Sequence, residues 1–217
     1  MGRAATVWFV LTAVAAVVAL ALQIPISAAD TDGAFDTPAA RVANLFTLFT
    51  VLTTLVVAAS CLQCALRPGL VSTFWRTLRV DAVLGIVIVA VVYHTLLAGL
   101  DDPQGTEVVV NLLWHTAVPI ATVLGWLAFG PRGRVDVRVV AWSALYPLAW
   151  LAFTLARGAV IGWYPYPFVD VAELGYAQVA LNCLGITALF LSLATALMAV
   201  DRILPGAAPR ALTRSGA

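Results

Sequence analysis

Lysine is absent from this 217-residue chain, and charged residues of every kind make up only 11% of it. A soluble domain carries roughly 25%. With 62% hydrophobic residues and a mean hydropathy of +0.98, the composition excludes a water-soluble globule. Cysteine is scarce too, at three residues, which excludes a disulfide framework. Cys61 and Cys64 form a C-x-x-C with no histidine or βαβ pattern nearby, so they read as small packing residues. There are only two histidines, His94 and His115, and no H-E-x-x-H pair. With no carboxylate read within the membrane core either, neither a metal site nor a cofactor is expected. The net charge of +1 hides a segregation of charge between the two sides of the chain, and no nucleic-acid partner is expected.

What is present is a series of long apolar runs. Six read as transmembrane helices, at 6–28, 41–65, 80–100, 107–129, 138–157 and 173–200. The connections are short, so residues 1–204 are expected to form one all-α, six-transmembrane-helix domain in the lipid bilayer. Residues 205–217 read as a disordered cytoplasmic tail. Ten of the twelve arginines fall on one side: Arg3, Arg67, Arg76, Arg79, Arg132, Arg134, Arg138, Arg202, Arg210 and Arg214. The other side holds Arg41 and Arg157 with Asp30, Asp32, Asp36, Asp101, Asp102, Glu107, Asp170 and Glu173. The positive-inside rule then predicts a multi-pass plasma-membrane protein with both termini in the cytoplasm. Ser27-Ala28-Ala29 has the look of a leader cleavage site, but the apolar run before it is nearly twice the length of a leader's, so a retained anchor is expected.

The polar residues inside the spans are few and level. At about 1.5 Å per residue, His115 lies roughly 12 Å below Glu107, Thr50 roughly 13 Å below Arg41, His94 about 10 Å below Asp101 and Asn182 roughly 13 Å below Glu173. Four helices thus bring a polar group to one depth, as they would around a wet cavity. In NLLWHTAVPI, Asn111 and His115 are four apart and share a helix face. Pro119 removes the amide that would bond the His115 carbonyl, leaving an acceptor for a neighbour, and Pro147 does the same to Ser143. Asn44, Thr47, Thr50 and Thr54 form a stripe on the second helix, where threonine bonded to its own backbone is the plain alternative. RGAVIGWYPYPFVD, residues 157–170, reads as an interfacial aromatic belt or as a cover over the polar layer. Tyr164 is among its rings, and Arg157 and Asp170 are its charges; the arginine faces either Asp170 or a substrate carboxylate.

LFTVLTTLVVA, NLLWHTAVPIATVLGWLAF and YPLAW…ARG…GWYPYPFVDV…LGYAQVALN together resemble the bacterial Pr6Pr membrane proteins over residues 40–200. More distantly they resemble the eukaryotic androgen-induced and androgen-dependent membrane hydrolases. That resemblance implies an intramembrane hydrolase of fatty acid esters of hydroxy fatty acids, with a threonine nucleophile at Thr50 and a histidine at His115. Thr47, in the near-repeat LFTLFT, is the alternative nucleophile. In this reading a lipid-like ester is the partner, His115 is the base, and Asn111, Asn182 and His94 are candidate donors to the oxyanion. The competing reading is a lipid-binding or regulatory membrane protein without catalysis.

Overall fold

In an apolar solvent each backbone amide must find its partner within its own segment, so the hydrophobic runs wind into helices. A computed structural model describes residues 2–31, 33–100 and 102–204, and over these residues it contains helices and no strand. The 205–217 tail, with Arg210 and Arg214, lies outside the described residues, as do Asp32 and Asp101. Six helices are long and apolar enough to cross a membrane: Arg3–Ala29, Phe49–Leu66, Thr73–Leu97, Thr106–Phe129, Val137–Ile161 and Val171–Ile203. They match the expected spans in number and order.

Only the first and last spans are named by one helix each, α1 (Arg3–Ala29) and α9 (Val171–Ile203). The helix expected over 41–65 is broken into α2 (Pro38–Leu45) and α3 (Phe49–Leu66). The third span is α4 (Thr73–Val92) extended by a π-turn at Tyr93–Leu97. The fourth is α5 (Thr106–Leu112), a second π-turn at Leu113–Ala117, and α6 (Val118–Phe129). The fifth is α7 (Val137–Ser143) and α8 (Leu145–Ile161), interrupted at Ala144 three residues before Pro147.

The main core is built from small residues that let helices approach closely. Ala13 and Ala16 of α1 meet Val57, Ala58 and Cys61 of α3, Ile86 of α4 and Val118 of α6. So α1 is an integral wall of the bundle, and the C-x-x-C cysteines are packing groups, both buried. A second cluster, with Val80, Leu84, Val139 and Leu197, knits the Arg-rich end together. There Arg76 pairs with Asp136 at 2.5 Å, and one Asp201 oxygen accepts the backbone amides of Arg134 and Val135 at 2.7 and 2.8 Å. At the opposite end Gly175, with φ 72°, turns the first residues of α9 away from its long axis; the positive φ is a conformation only glycine adopts freely.

A candidate intramembrane lipid site

The break between α2 and α3 creates the first wall of the site. The Thr47 hydroxyl bonds the Asn44 carbonyl at 2.7 Å, a local bond that competes with the helix. The amides of Phe46, Thr47 and Leu48 tighten onto carbonyls three residues back, at 3.2, 2.9 and 3.2 Å, and Leu48 then turns extended (ψ 134°). Trp150 Nε1 donates to the released Thr47 carbonyl at 2.9 Å. The chain restarts as α3, whose first amides have no partner inside the helix. Tyr166, from the 157–170 strap, accepts the Thr50 N–H at 3.3 Å and lies 3.4 Å from the Thr50 hydroxyl. Burial pushes the Tyr166 pKa up, opposed by its bonds to Thr50 and to the Phe49 amide, so the ring keeps its proton. Two threonines that spacing alone left open are thereby separated: Thr47 is committed to Asn44, and Thr50 faces the interior.

The second wall is a pair of π-turns, a local form that recurs at functional sites. The Ala98 amide reaches back five residues to the Tyr93 carbonyl at 2.8 Å, and the Val118 amide reaches five back to Leu113. The carbonyl of His115, stripped of its helical partner by Pro119, accepts from His94 Nε2 at 3.1 Å, which also lies 3.1 Å from the Thr116 hydroxyl. A carbonyl only accepts, so His94 is protonated at Nε2. His94 therefore braces the backbone of His115.

His115 itself is aimed. Its Nδ1 lies 2.7 Å from Asn111 Oδ1, and Asn111 Nδ2 donates to the Tyr93 hydroxyl at 2.5 Å. The amide oxygen only accepts, so Nδ1 carries the proton and Nε2 keeps its lone pair. Tyr93 stacks flat on the imidazole, with centroids 3.8 Å apart and planes 9° apart. The sequence suggested Asn111 as an oxyanion donor. Instead it orients the histidine, because a side chain one helical turn earlier bonds the ring more readily than it reaches a substrate.

Thr50 and His115 line one cavity of about 220 Å³, together with Tyr93, Tyr166, Cys183 and Thr187, and its remaining walls are aliphatic and aromatic. Leu148 on α8 and Leu191 on α9 both line it while 57% and 56% exposed, so the cavity opens on the lipid-facing surface between those helices. No hydrogen bond joins Thr50 to His115 among the described residues.

The other expected site residues lie elsewhere. Asn182 donates to the Phe168 carbonyl at 2.9 Å and accepts from Gln178 at 3.0 Å, which ties the strap to α9. Asp170 caps α9 through the amides of Ala172 and Glu173 at 2.9 and 3.2 Å. Arg157 bonds Asn44 Oδ1 at 2.9 Å beneath the rings of Phe35 and Trp163, and no ion pair joins it to Asp170 among the described residues. Tyr164 packs flush on Gly158, where an added Cβ would collide with its ring. These residues build the strap and do not line the cavity. Sequence reasoning took Tyr166 for one more belt ring and passed over Tyr93 beside His94. It also overlooked Asp81, a carboxylate within the third span, which does not line the cavity.

Comparison with known proteins gives no match: no family model fits the chain, and no curated protein or solved structure matches it.

Proposed function

We propose that this is a multi-pass plasma-membrane hydrolase of lipid esters, with both termini in the cytoplasm. The substrate class follows from the cavity: an ester with long apolar arms and no large headgroup, of the kind found in fatty acid esters of hydroxy fatty acids. Such a molecule reaches the cavity from the bilayer through the opening between α8 and α9, with its ester beside Thr50. The resemblance to the Pr6Pr proteins and the androgen-induced hydrolases points the same way. One observation carries the reading: Thr50 and His115 line the same apolar cavity, and Asn111 holds His115 with Nε2 free to take a proton.

In the proposed reaction the Thr50 side chain turns from Tyr166 toward His115 when substrate binds; catalytic hydrogen bonds are often long or absent before that step. His115 Nε2 takes the Thr50 hydroxyl proton and the oxygen attacks the ester carbonyl. The Tyr166 hydroxyl, 3.4 Å from the Thr50 hydroxyl, is the proposed donor to the developing oxyanion. Collapse breaks the ester bond, and His115 returns its proton to the departing alkoxide. Water then attacks acyl-Thr50, with His115 again the base, and the free acid leaves.

The test is labelling of membranes with a long-chain acyl fluorophosphonate, alongside turnover of a fatty acyl hydroxy-fatty acid. Wild type and Thr50→Ser are expected to react. Thr50→Ala and His115→Ala are expected to lose about 10²–10⁴ in rate. Labelling that survives in both alanine variants ends the proposal.

A second reading is favoured by the partner Thr50 has, which is Tyr166 in place of His115: a lipid-binding protein that performs no chemistry. Wild type that co-purifies with an intact lipid ester, seen by native mass spectrometry, and shows no turnover would select it.

A further inference from the structure

The Arg-rich end of the bundle contains a buried cation that is bonded to no carboxylate and has the neutral Cys64 thiol beside it. Arg79, in the second turn of α4, is 7% exposed. Its Nε donates to Gln63 Oε1 and its Nη2 to the Leu70 carbonyl, each at 2.8 Å. Its Nη1 is fully buried with no hydrogen-bond partner among the described residues. Arg134, whose Nη1 is likewise buried and unpartnered, lies close enough to repel it. Asp136 holds Arg76, and Asp201 turns one oxygen to two backbone amides while its other oxygen is buried without a hydrogen-bond partner; no carboxylate forms an ion pair with Arg79 among the described residues. A guanidinium enclosed this way is strongly disfavoured unless a negative charge accompanies it.

The surroundings suggest what that charge is. Arg79 lines a crevice of about 20 Å³ between α3, α4 and α6, with Ser60, Cys61, Cys64 and Thr122 among its walls. Thr122 spends its hydroxyl on the Val118 carbonyl, whereas Ser60, 6% exposed, has no hydrogen bond of its own among the described residues. The volume admits about one water-sized sphere. Phosphate is too large for it, and nearly all of the lining residues are buried, which keeps lipid headgroups out.

We propose that this crevice binds a single monoatomic anion of chloride size. Arg79 Nη1 and the Ser60 hydroxyl donate to it, and Arg134 adds its charge from the α6–α7 connection. The anion would tie α3, α4 and that connection together at a point where protein groups alone leave like charges facing.

Thermal unfolding of the purified, detergent-solubilised protein in sodium chloride and in sodium gluconate at equal ionic strength tests this. Chloride at about ten times its Kd is expected to raise Tm by about 4 °C. Arg79→Gln should abolish the difference, and Arg134→Gln and Ser60→Ala should reduce it. Should Arg79→Gln fail to fold, line broadening of the chloride-35 magnetic resonance signal by wild type, displaced by bromide, carries the test. Equal Tm in the two salts without broadening means the crevice holds water only, and the proposal falls. Thr50→Ala should keep the full chloride effect, so failure of the hydrolase reading leaves this result untouched.

Discussion

The two sides of the cavity are built differently. Within the most apolar stretch of each span, 56% of residues are buried for α3, against 22% for the fifth span and 11% for α9. The α1–α3–α4–α6 side is close-packed around Ala13, Ala16, Val57 and Ile86, and it carries Thr50 on α3 and His115 on the turn leading into α6. The α8–α9 side turns most of its surface outward and carries the mouth. In the proposed hydrolase one side would hold the reacting groups in place, which needs packing, and the other would admit a chain from the bilayer, which needs a seam that parts without unfolding the core.

The largest expected effect comes from adding the same methyl group to each side. A Cβ at Gly125 would meet Trp8 Nε1 at 2.7 Å and Phe9 Cε1 at 3.3 Å, and it would disturb the Trp8 bond to the Ala121 carbonyl. Gly125→Ala should destabilise by about 1–3 kcal/mol. At Gly185 on α9 nothing lies within 4 Å, and Gly185→Ala should be neutral or slightly stabilising. Thermal unfolding of both variants in one detergent makes the measurement, and equal losses would break the contrast between the sides.

Next is Asn111→Ala, which frees the imidazole to choose the wrong tautomer or orientation. If hydrolysis is the function, kcat should fall about tenfold or more with KM little changed. An unchanged kcat would mean that stacking on Tyr93 orients His115 unaided.

Filling the mouth should cause a smaller and more selective change. Leu191→Trp on the exposed face of α9 is expected to raise KM several-fold for a long-chain ester in vesicles and to leave a short soluble ester unaffected. Stability should hardly change, because the side chain is already 56% exposed. Equal effects on the two substrates would place the access route elsewhere.

The smallest effect concerns Tyr166. Tyr166→Phe uncaps α3 at Thr50 and should reduce stability by about 1 kcal/mol. Burial raises the Tyr166 pKa above the ordinary tyrosine value. Its contribution is therefore complete below about pH 10 and is lost as pH climbs through the raised value. Wild-type Tm should fall more steeply than that of the Phe variant in this alkaline range, and parallel curves would show that Tyr166 titrates as an exposed tyrosine does.

Much of this protein is legible along the chain. Hydropathy located six spans because the cost of burying polar backbone in lipid leaves a helix as the only local solution. Depth counted along regular helices put Thr50, His115, His94 and Asn182 at one level, and the resemblance named the first two. The break at Phe46–Leu48 was hidden, since Thr47 and Asn44 read as part of a helical stripe until their bond is seen competing with the ladder. The level expected for Asn182 and His94 says nothing of direction. A kinked helix turns its faces, and both side chains went to backbone carbonyls that the kinks and the strap had freed.

Sequence alone therefore determined how many helices are long and apolar enough to cross a bilayer and which stretches collect the arginines, because each depends on local hydrophobicity and spacing. Only the tertiary structure decided that Asn111 aims His115, that Tyr166 covers Thr50, and that the cavity opens between α8 and α9. Those outcomes depend on helix rotation and packing between segments distant in the chain, and no single segment carries that information.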